Sequence, residues 1–221
     1  MRKEIINEVK KSNSLRILRD VNNKIRERHF HEGTHILYDI RTLLGKEPKN
    51  YTEIGSYVGS SASLMLQHPF ATSINCIDPL NLNPSHYKGI INQYDTLKKN
   101  IILNNIHNNS VKIFKHYSNS EYVLSKINDI DILFIDGCHK FKSVVDDFNN
   151  YKNKVNKGGF IIFDDYLDSV HSPEVRKAVD FIVKNINCNE YEIIGSIKNV
   201  KNAYSDIPRK NSNEFILYKK L

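Results

Sequence analysis

The sequence predicts an α/β fold: a doubly wound, seven-stranded, mostly parallel sheet with a C-terminal antiparallel strand and a helical lid at the N terminus. Three observations predict it. Five short apolar runs, Tyr51–Ile54, Ser73–Ile77, Val111–Phe114, Ile130–Ile135 and Phe160–Phe163, alternate with longer amphipathic stretches, the pattern of βαβ units. Where a run reads as continuously apolar, the strand is expected to be covered on both faces. Two later runs, Tyr191–Ile197 and Glu214–Tyr218, are separated only by a polar segment containing Asp206, Pro208 and Arg209. With no crossover helix between them they should pair antiparallel, as a long-looped hairpin.

Residues 1–46 read as helices that precede the sheet. Ile5, Ile6 and Val9, then Leu15, Leu18, Val21 and Ile25, recur at three- and four-residue spacing with charges between them. Thr34–Leu44 carries Ile36, Leu37, Ile40, Leu43 and Leu44 on one face, and Gly45 followed by Pro48 stops it. The 221 residues contain no repeat, linker or low-complexity tract, so one domain is expected, with 1–46 as the lid and substrate region and 47–221 as the core. Cys76, Cys138 and Cys188 share no CxxC spacing, which argues against a disulfide framework or a four-cysteine zinc site. No apolar run reaches the roughly 18 residues of a membrane span and no signal peptide is evident, so a reducing cytoplasmic setting is expected. The net charge of +7 permits nucleic-acid binding, but the basic residues are scattered rather than clustered.

In an open α/β sheet, ligands bind beyond the carboxyl ends of the strands. Here those ends are acidic. The first run leads into Glu53, Gly55, Ser56, Tyr57, Gly59, Ser60 and Ser61; the second ends at Asp78; Ser118 follows the third; Asp136 ends the fourth and Asp164 and Asp165 the fifth. Gly55 and Gly59 let the backbone turn tightly against a ligand, yet neither a GxGxxG nor a P-loop pattern is present, so no pyrophosphate is required. Glu53 suits a cationic ligand and Asp78 can accept two hydrogen bonds from a ribose diol; S-adenosylmethionine combines an ammonium, a sulfonium and a ribose. Asp136, Asp164 and Asp165 on neighbouring strand ends would repel one another unless a cation intervened, and an oxygen-rich set indicates Mg²⁺, or Mn²⁺ or Ca²⁺. Successive Asp164 and Asp165 share a face only if the strand has ended, as the following Tyr166-Leu167-Asp168 suggests. His139, three residues beyond Asp136, could take a proton from a substrate hydroxyl.

The run from Tyr51 to Ser61 resembles motif I of class I SAM-dependent methyltransferases, specifically the catechol O-methyltransferase type with its E-[IL]-G-x-Y-x-G-x-S pattern. Asn75 to Asp78 resembles the ribose-binding strand end, His116 to Asn119 the turn beside the adenine, and DILFIDGCH (131–139) and KGGFIIFDDY (157–166) the metal segments. The D-G-x-H and D-D-Y forms are closer to macrocin-type sugar O-methyltransferases and cephalosporin-hydroxylase-like relatives. The resemblance spans Ile36 to Tyr166 and implies a Rossmann-like core. It implies that Glu53 and Ser61 hold the methionine end, Asp78 the ribose, Ser118 and Asn119 the adenine, and Asp136, Asp164 and Asp165 the metal. Asp165 stands where catechol enzymes have Asn, and His139 where they have a lysine base, which leaves His139 or Asp136 as base.

The expected activity is therefore metal-dependent O-methylation of a small hydroxylated molecule, with a sugar hydroxyl favoured. Tyr57, His31, His35 and Asn81 are candidates for the acceptor wall. A homo-oligomer is compatible with the sequence. The alternatives are an RNA-directed methyltransferase and a SAM-independent hydroxylase-like or binding protein of the same fold.

Overall fold

A computed structural model describes residues 1–25, 32–81, 92–197 and 214–221. His31 and the polar segment around Asp206, Pro208 and Arg209 lie outside the described residues. Three helices come first, α1 (Arg2–Lys11), α2 (Ser14–Lys24) and α3 (Ile36–Leu43). Then β1 (Lys49–Ile54), α4 (Ser60–Leu66), β2 (Thr72–Ile77), α5 (Gln93–Asn104), β3 (Val111–Phe114), α6 (Glu121–Lys126), β4 (Ile130–Ile135), α7 (Phe141–Tyr151), β5 (Val155–Phe163), α8 (Pro173–Asn185), β6 (Tyr191–Gly195) and β7 (Phe215–Lys219) follow in turn.

The seven strands form one sheet in the order β3-β2-β1-β4-β5-β7-β6. β1 to β5 are mutually parallel, and β7 runs antiparallel to both β5 and β6. The last two strands do pair antiparallel, but the later one is inserted between β5 and β6. Composition explains this order. Phe215, Ile216 and Leu217 are all buried and need neighbours on both edges and both faces, whereas β6 carries Glu192 and a half-exposed Ile193 and tolerates the edge.

Continuous apolar strands feed two cores because successive side chains alternate across the sheet. Ile132, Phe134, Phe160 and Ile162 join one core with Ile5, Val9, Ile36, Leu37, Ile40, Met65 and Leu97. Leu133, Ile135, Ile161 and Phe163 join the other with Val123, Val144, Phe148, Val175, Val179 and Ile182. α1, α3, α4 and α5 thus cover one face and α6, α7 and α8 the other. The N-terminal helices expected to form a lid therefore also build a core layer. α2 reaches the site edge, where Asn22 Oδ1 accepts a hydrogen bond from Ser60 Oγ at 2.6 Å. Among the described residues no helix is long and apolar enough to cross a membrane.

Candidate active site

The strand order reverses between β1 and β4, and the carboxyl ends of β1 to β5 open there onto a cavity of about 910 Å³, a size suited to a cofactor plus a small second molecule. Its wall includes Gly55, Ser56, Tyr57, Ser61, Asp78, Ser118, Asn119, Asp136, His139, Asp164 and Asp165, so the structure brings these sequence-predicted residues together. Tyr57 and Asn81, read as acceptor-wall candidates, also line it.

Two predicted cofactor residues, Glu53 and Gly59, do not line the cavity. Glu53 is fully buried on the same strand face as Tyr51, and its Oε2 accepts hydrogen bonds from Tyr51 Oη and Ser61 Oγ, both at 2.7 Å. Burial pushes its carboxyl up, and the hydroxyls of Ser61 and Tyr51 pull it back. Ser61 is the wall residue, and Glu53 stands behind it. His35 likewise is not on the wall. It is buried between Ser14 Oγ, 2.9 Å from Nδ1, and Asp39 Oδ2, 3.2 Å from the same atom, and ties α2 to α3.

The glycine turn is held by its neighbours. Gly55, Tyr57 and Gly59 all have left-handed φ, at +92°, +47° and +86°. A strained non-glycine backbone persists only where surroundings fix it, and here Tyr57 N–H donates to Asp78 Oδ2 at 2.8 Å. The other oxygen, Asp78 Oδ1, accepts from Leu80 N–H at 2.7 Å and more distantly from Gln93 Nε2 at 3.4 Å. Burial raises the Asp78 carboxyl, while the Leu80 and Tyr57 amides and Gln93 oppose the rise.

Beyond the neighbouring strands β4 and β5, Asp136 N–H donates to Ile54 O at 2.9 Å and Asp164 N–H to Ile135 O at 3.0 Å, which fixes both aspartates to the carboxyl ends of the strands. β5 ends at Phe163, and Asp165 takes φ +55°, so the chain turns between the successive aspartates. One consequence differs from the expected carboxylate trio. The ligand atoms that gather within 4.8 Å belong to Asp136, Asp165 and His139, with Asp164 on the wall beside them rather than in that set. His139 Nε2 lies 3.7 Å from Asp136 Oδ1 and 3.5 Å from Asp165 Oδ2. Desolvation pushes Asp136 and Asp164 well up; for Asp136 the next cause is Asp165, and for Asp164 it is Asp136. Asp164 Oδ1 and Asp165 Oδ1 are buried without a hydrogen-bond partner.

Residues 52–166, more than half of the chain and the run from within β1 through the aspartate turn, match the family described as "Methyltransferase domain". The chain belongs to the methyltransferase-domain family. A protein of Acanthamoeba polyphaga mimivirus, itself described as uncharacterized, is 41% identical to this methyltransferase over 202 residues, covering 86% of this chain and 88% of the relative. Among solved structures, the O-methyltransferase NovP superposes with a TM-score of 0.62 at 16% identity, over 94% of this chain and 97% of that one. The SAM complex of the O-methyltransferase TomG from Streptomyces achromogenes gives 0.59 at 12% identity, over 96% and 92%. The O-methyltransferase from Bacillus cereus with bound SAH gives 0.57 at 16%, over 94% and 90%. At these identities the likeness is one of fold, the class I methyltransferase fold.

Three acidic or polar residues of the methyltransferase's site were not singled out from sequence. Glu214 precedes β7, is fully buried, and its charge raises both Asp136 and Asp164. Ser172 begins α8 and touches His139 and Asp165. Asp147, on α7, lines the cavity and accepts from Ser118 Oγ at 2.5 Å, while Tyr151 Oη donates to Ser118 O at 2.7 Å.

Burial raises Asp147 to about 6. A folded-state value above the unfolded one means the associated stability is present at low pH and is lost as pH rises through about 6. Asp147→Asn keeps an oxygen for Ser118 and has no charge to desolvate. We expect it to stabilise the fold at pH 8 by on the order of 2 kcal/mol and to be neutral near pH 4, read by urea unfolding at both pH values. An equal effect at both would show that the charge is not what costs stability.

Proposed function

We propose that the protein is a SAM-dependent, divalent-metal-dependent O-methyltransferase acting on a hydroxyl of a small molecule, with a sugar hydroxyl favoured. The observation that carries this reading is that one cavity is lined both by the glycine turn, Ser61 and Asp78 and by Asp136, His139 and Asp165, whose donor atoms converge. The names and bound SAM or SAH of the similar structures support the donor and the oxygen acceptor.

The residues fit both groups. Ser61 Oγ gives its proton to Glu53, so its lone pairs are left to accept from the ammonium of the methionine end. Each Asp78 oxygen already takes a backbone N–H, which fixes the carboxylate for a ribose diol. Ser118 and Asn119 also line the cavity, as an adenine site there would require. A nitrogen and two carboxylate oxygens within 4.8 Å, beside two buried and unpartnered carboxylate oxygens, form a donor set for a hard cation. Bound there, a divalent ion would supply Lewis acidity that lowers the acceptor hydroxyl's pKa.

The chain's own part is orientation and proton transfer. With SAM held by the glycine turn, Ser61 and Asp78, the donor set of Asp136, His139 and Asp165 would orient an acceptor oxygen toward the methyl group that SAM would supply. Whichever of His139 and Asp136 is not held by the ion would take the acceptor hydroxyl's proton. The electrostatics of the wall favour a neutral or cationic acceptor. The described lining holds seven aspartates, among them Asp146, Asp147 and Asp168, and no lysine or arginine, although the chain as a whole carries +7. Such a wall repels a phosphate-rich acceptor such as RNA.

Calorimetric titration with SAM, alone, with Mg²⁺ and with EDTA, tests the donor. Stoichiometric binding is the expected result, followed by methylation of sugars or phenols in an acceptor screen. Absence of SAM binding in all three conditions would overturn the reading.

A further inference from the structure

We propose that Ser172 is a positioning residue that keeps the His139 proton on Nδ1, so that Nε2 is the ring atom presented to Asp136 and Asp165. The argument is a count of donors. Ser172 Oγ lies 2.7 Å from Asp165 Oδ2 and 2.8 Å from His139 Nδ1, and Ser172 is 1% exposed. A hydroxyl has one proton to give. A carboxylate can only accept, so that proton goes to Asp165, and the second contact closes only if Nδ1 carries the hydrogen and donates to Oγ. The same holds for a neutral or a charged imidazole. Nδ1 is thereby committed as a donor in either form, and in the neutral imidazole Nε2 is the lone-pair nitrogen.

A second observation shows that the hydroxyl is set aside for this contact. Ser172 occupies the N-cap of α8 with Pro173 at the first helical position, where a serine side chain ordinarily accepts a hydrogen bond from an amide of the first turn. It makes no such bond. The side chain faces the cavity instead and links Asp165 to His139. A third observation gives the consequence. Nε2 faces Asp136 Oδ1 at 3.7 Å and Asp165 Oδ2 at 3.5 Å. A lone pair and two carboxylate oxygens turned toward one point suit a cation or a proton arriving from the acceptor, and the wrong tautomer would present an N–H there instead.

The tautomer assignment stands on geometry alone; only its effect on turnover rests on the function proposed above. The experiment is long-range proton–nitrogen NMR of the full chain with ¹⁵N-labelled histidine, with the His139 signals assigned by loss in His139→Gln. With the imidazole titrated to its neutral form, the expected wild-type spectrum shows a protonated-type Nδ1 and an acceptor-type Nε2. Ser172→Ala should move the proton to Nε2, the position an unconstrained imidazole favours in water, and Ser172→Thr should restore the wild-type pattern. An unprotonated Nδ1 in wild type, or the same Nδ1 state in wild type and Ser172→Ala, overturns the proposal. The wild-type spectrum decides the first point even if the alanine variant does not fold. In turnover, Ser172→Ala should lower kcat roughly 10- to 100-fold, as loss of an orienting partner does, with the KM for SAM unchanged and threonine restoring kcat. Normal SAM binding with a wrong tautomer would refute this inference and leave the proposed function intact.

Discussion

Gly55→Ala is expected to give a protein that unfolds at far lower urea than wild type, if it folds at all. A β-carbon at this position would sit 1.9 Å from the carbonyl oxygen of Asp136 and 2.5 Å from its carbon. Both are backbone atoms, so no rotamer change can make room. The turn cannot retreat either. Gly55 N–H is bound to Ile77 O at 2.8 Å on one side, and Ile54 O accepts from Asp136 N–H at 2.9 Å on the other. Relief requires β1 to part from β4 in the centre of the sheet, on top of the left-handed φ of +92°. Together these cost about 2–5 kcal/mol, a large share of the roughly 5–15 kcal/mol that holds a domain folded. Gly45 is the control, since its φ is +80° but nothing lies within 4 Å of its added carbon. Gly45→Ala should cost only the conformational part, about 1–2 kcal/mol. Equal unfolding midpoints for the two variants would show that the approach of Asp136 does not constrain the turn.

The same close approach explains what sequence alone reveals of this site. Strand ends are legible because continuous apolar runs must stop where the chain meets a ligand or solvent, and the residues at those stops, Asp78, Asp136 and Asp164, are polar by contrast. Which wall a side chain faces is less legible. Glu53 stands two residues after Tyr51, so the two share a strand face, yet only the fold shows that this face is closed off by α4. Asp146 and Asp147 look alike in an amphipathic stretch, but α7 turns the second toward Ser118. Ser172 before Pro173 gives a helix-start signal that conceals its contact with His139. His35 had a local signal in Asp39, four residues on, for a buried pair rather than a cavity residue. The order of β6 and β7 was also readable in principle: Phe215 to Leu217 is the more apolar run and takes the inner place. Contacts between distant segments, such as Glu214 beside Asp136, have no local signature at all.

The second large effect concerns Asp136, where activity and stability should move in opposite directions. Asp136, Asp164, Asp165 and Glu214 press on one another, and desolvation together with these neighbours holds the first two carboxyls well above the usual range. Because the folded-state values are raised, the associated stability is present below the ordinary carboxylate range and is lost as pH climbs. At pH 8 without divalent cation the cluster is therefore a burden on the fold. Asp136→Asn removes one charge at constant size, so with EDTA the variant should melt above wild type. Adding Mg²⁺ should reverse that order. A ligand that binds only the folded state stabilises by about 2.7 kcal/mol at 100 times its dissociation constant, and the variant offers a divalent ion a neutral amide oxygen in place of a charged carboxylate. Turnover should fall by about 10²–10³-fold or more, the scale of losing a group that acts on the reacting oxygen, while SAM binding at the glycine turn survives. Thermal melts of both proteins in EDTA and in Mg²⁺ separate the possibilities. A variant that melts below wild type in both conditions would mean that Asp136 is held in place by packing and hydrogen bonding, and that the aspartate cluster is not arranged around a cation.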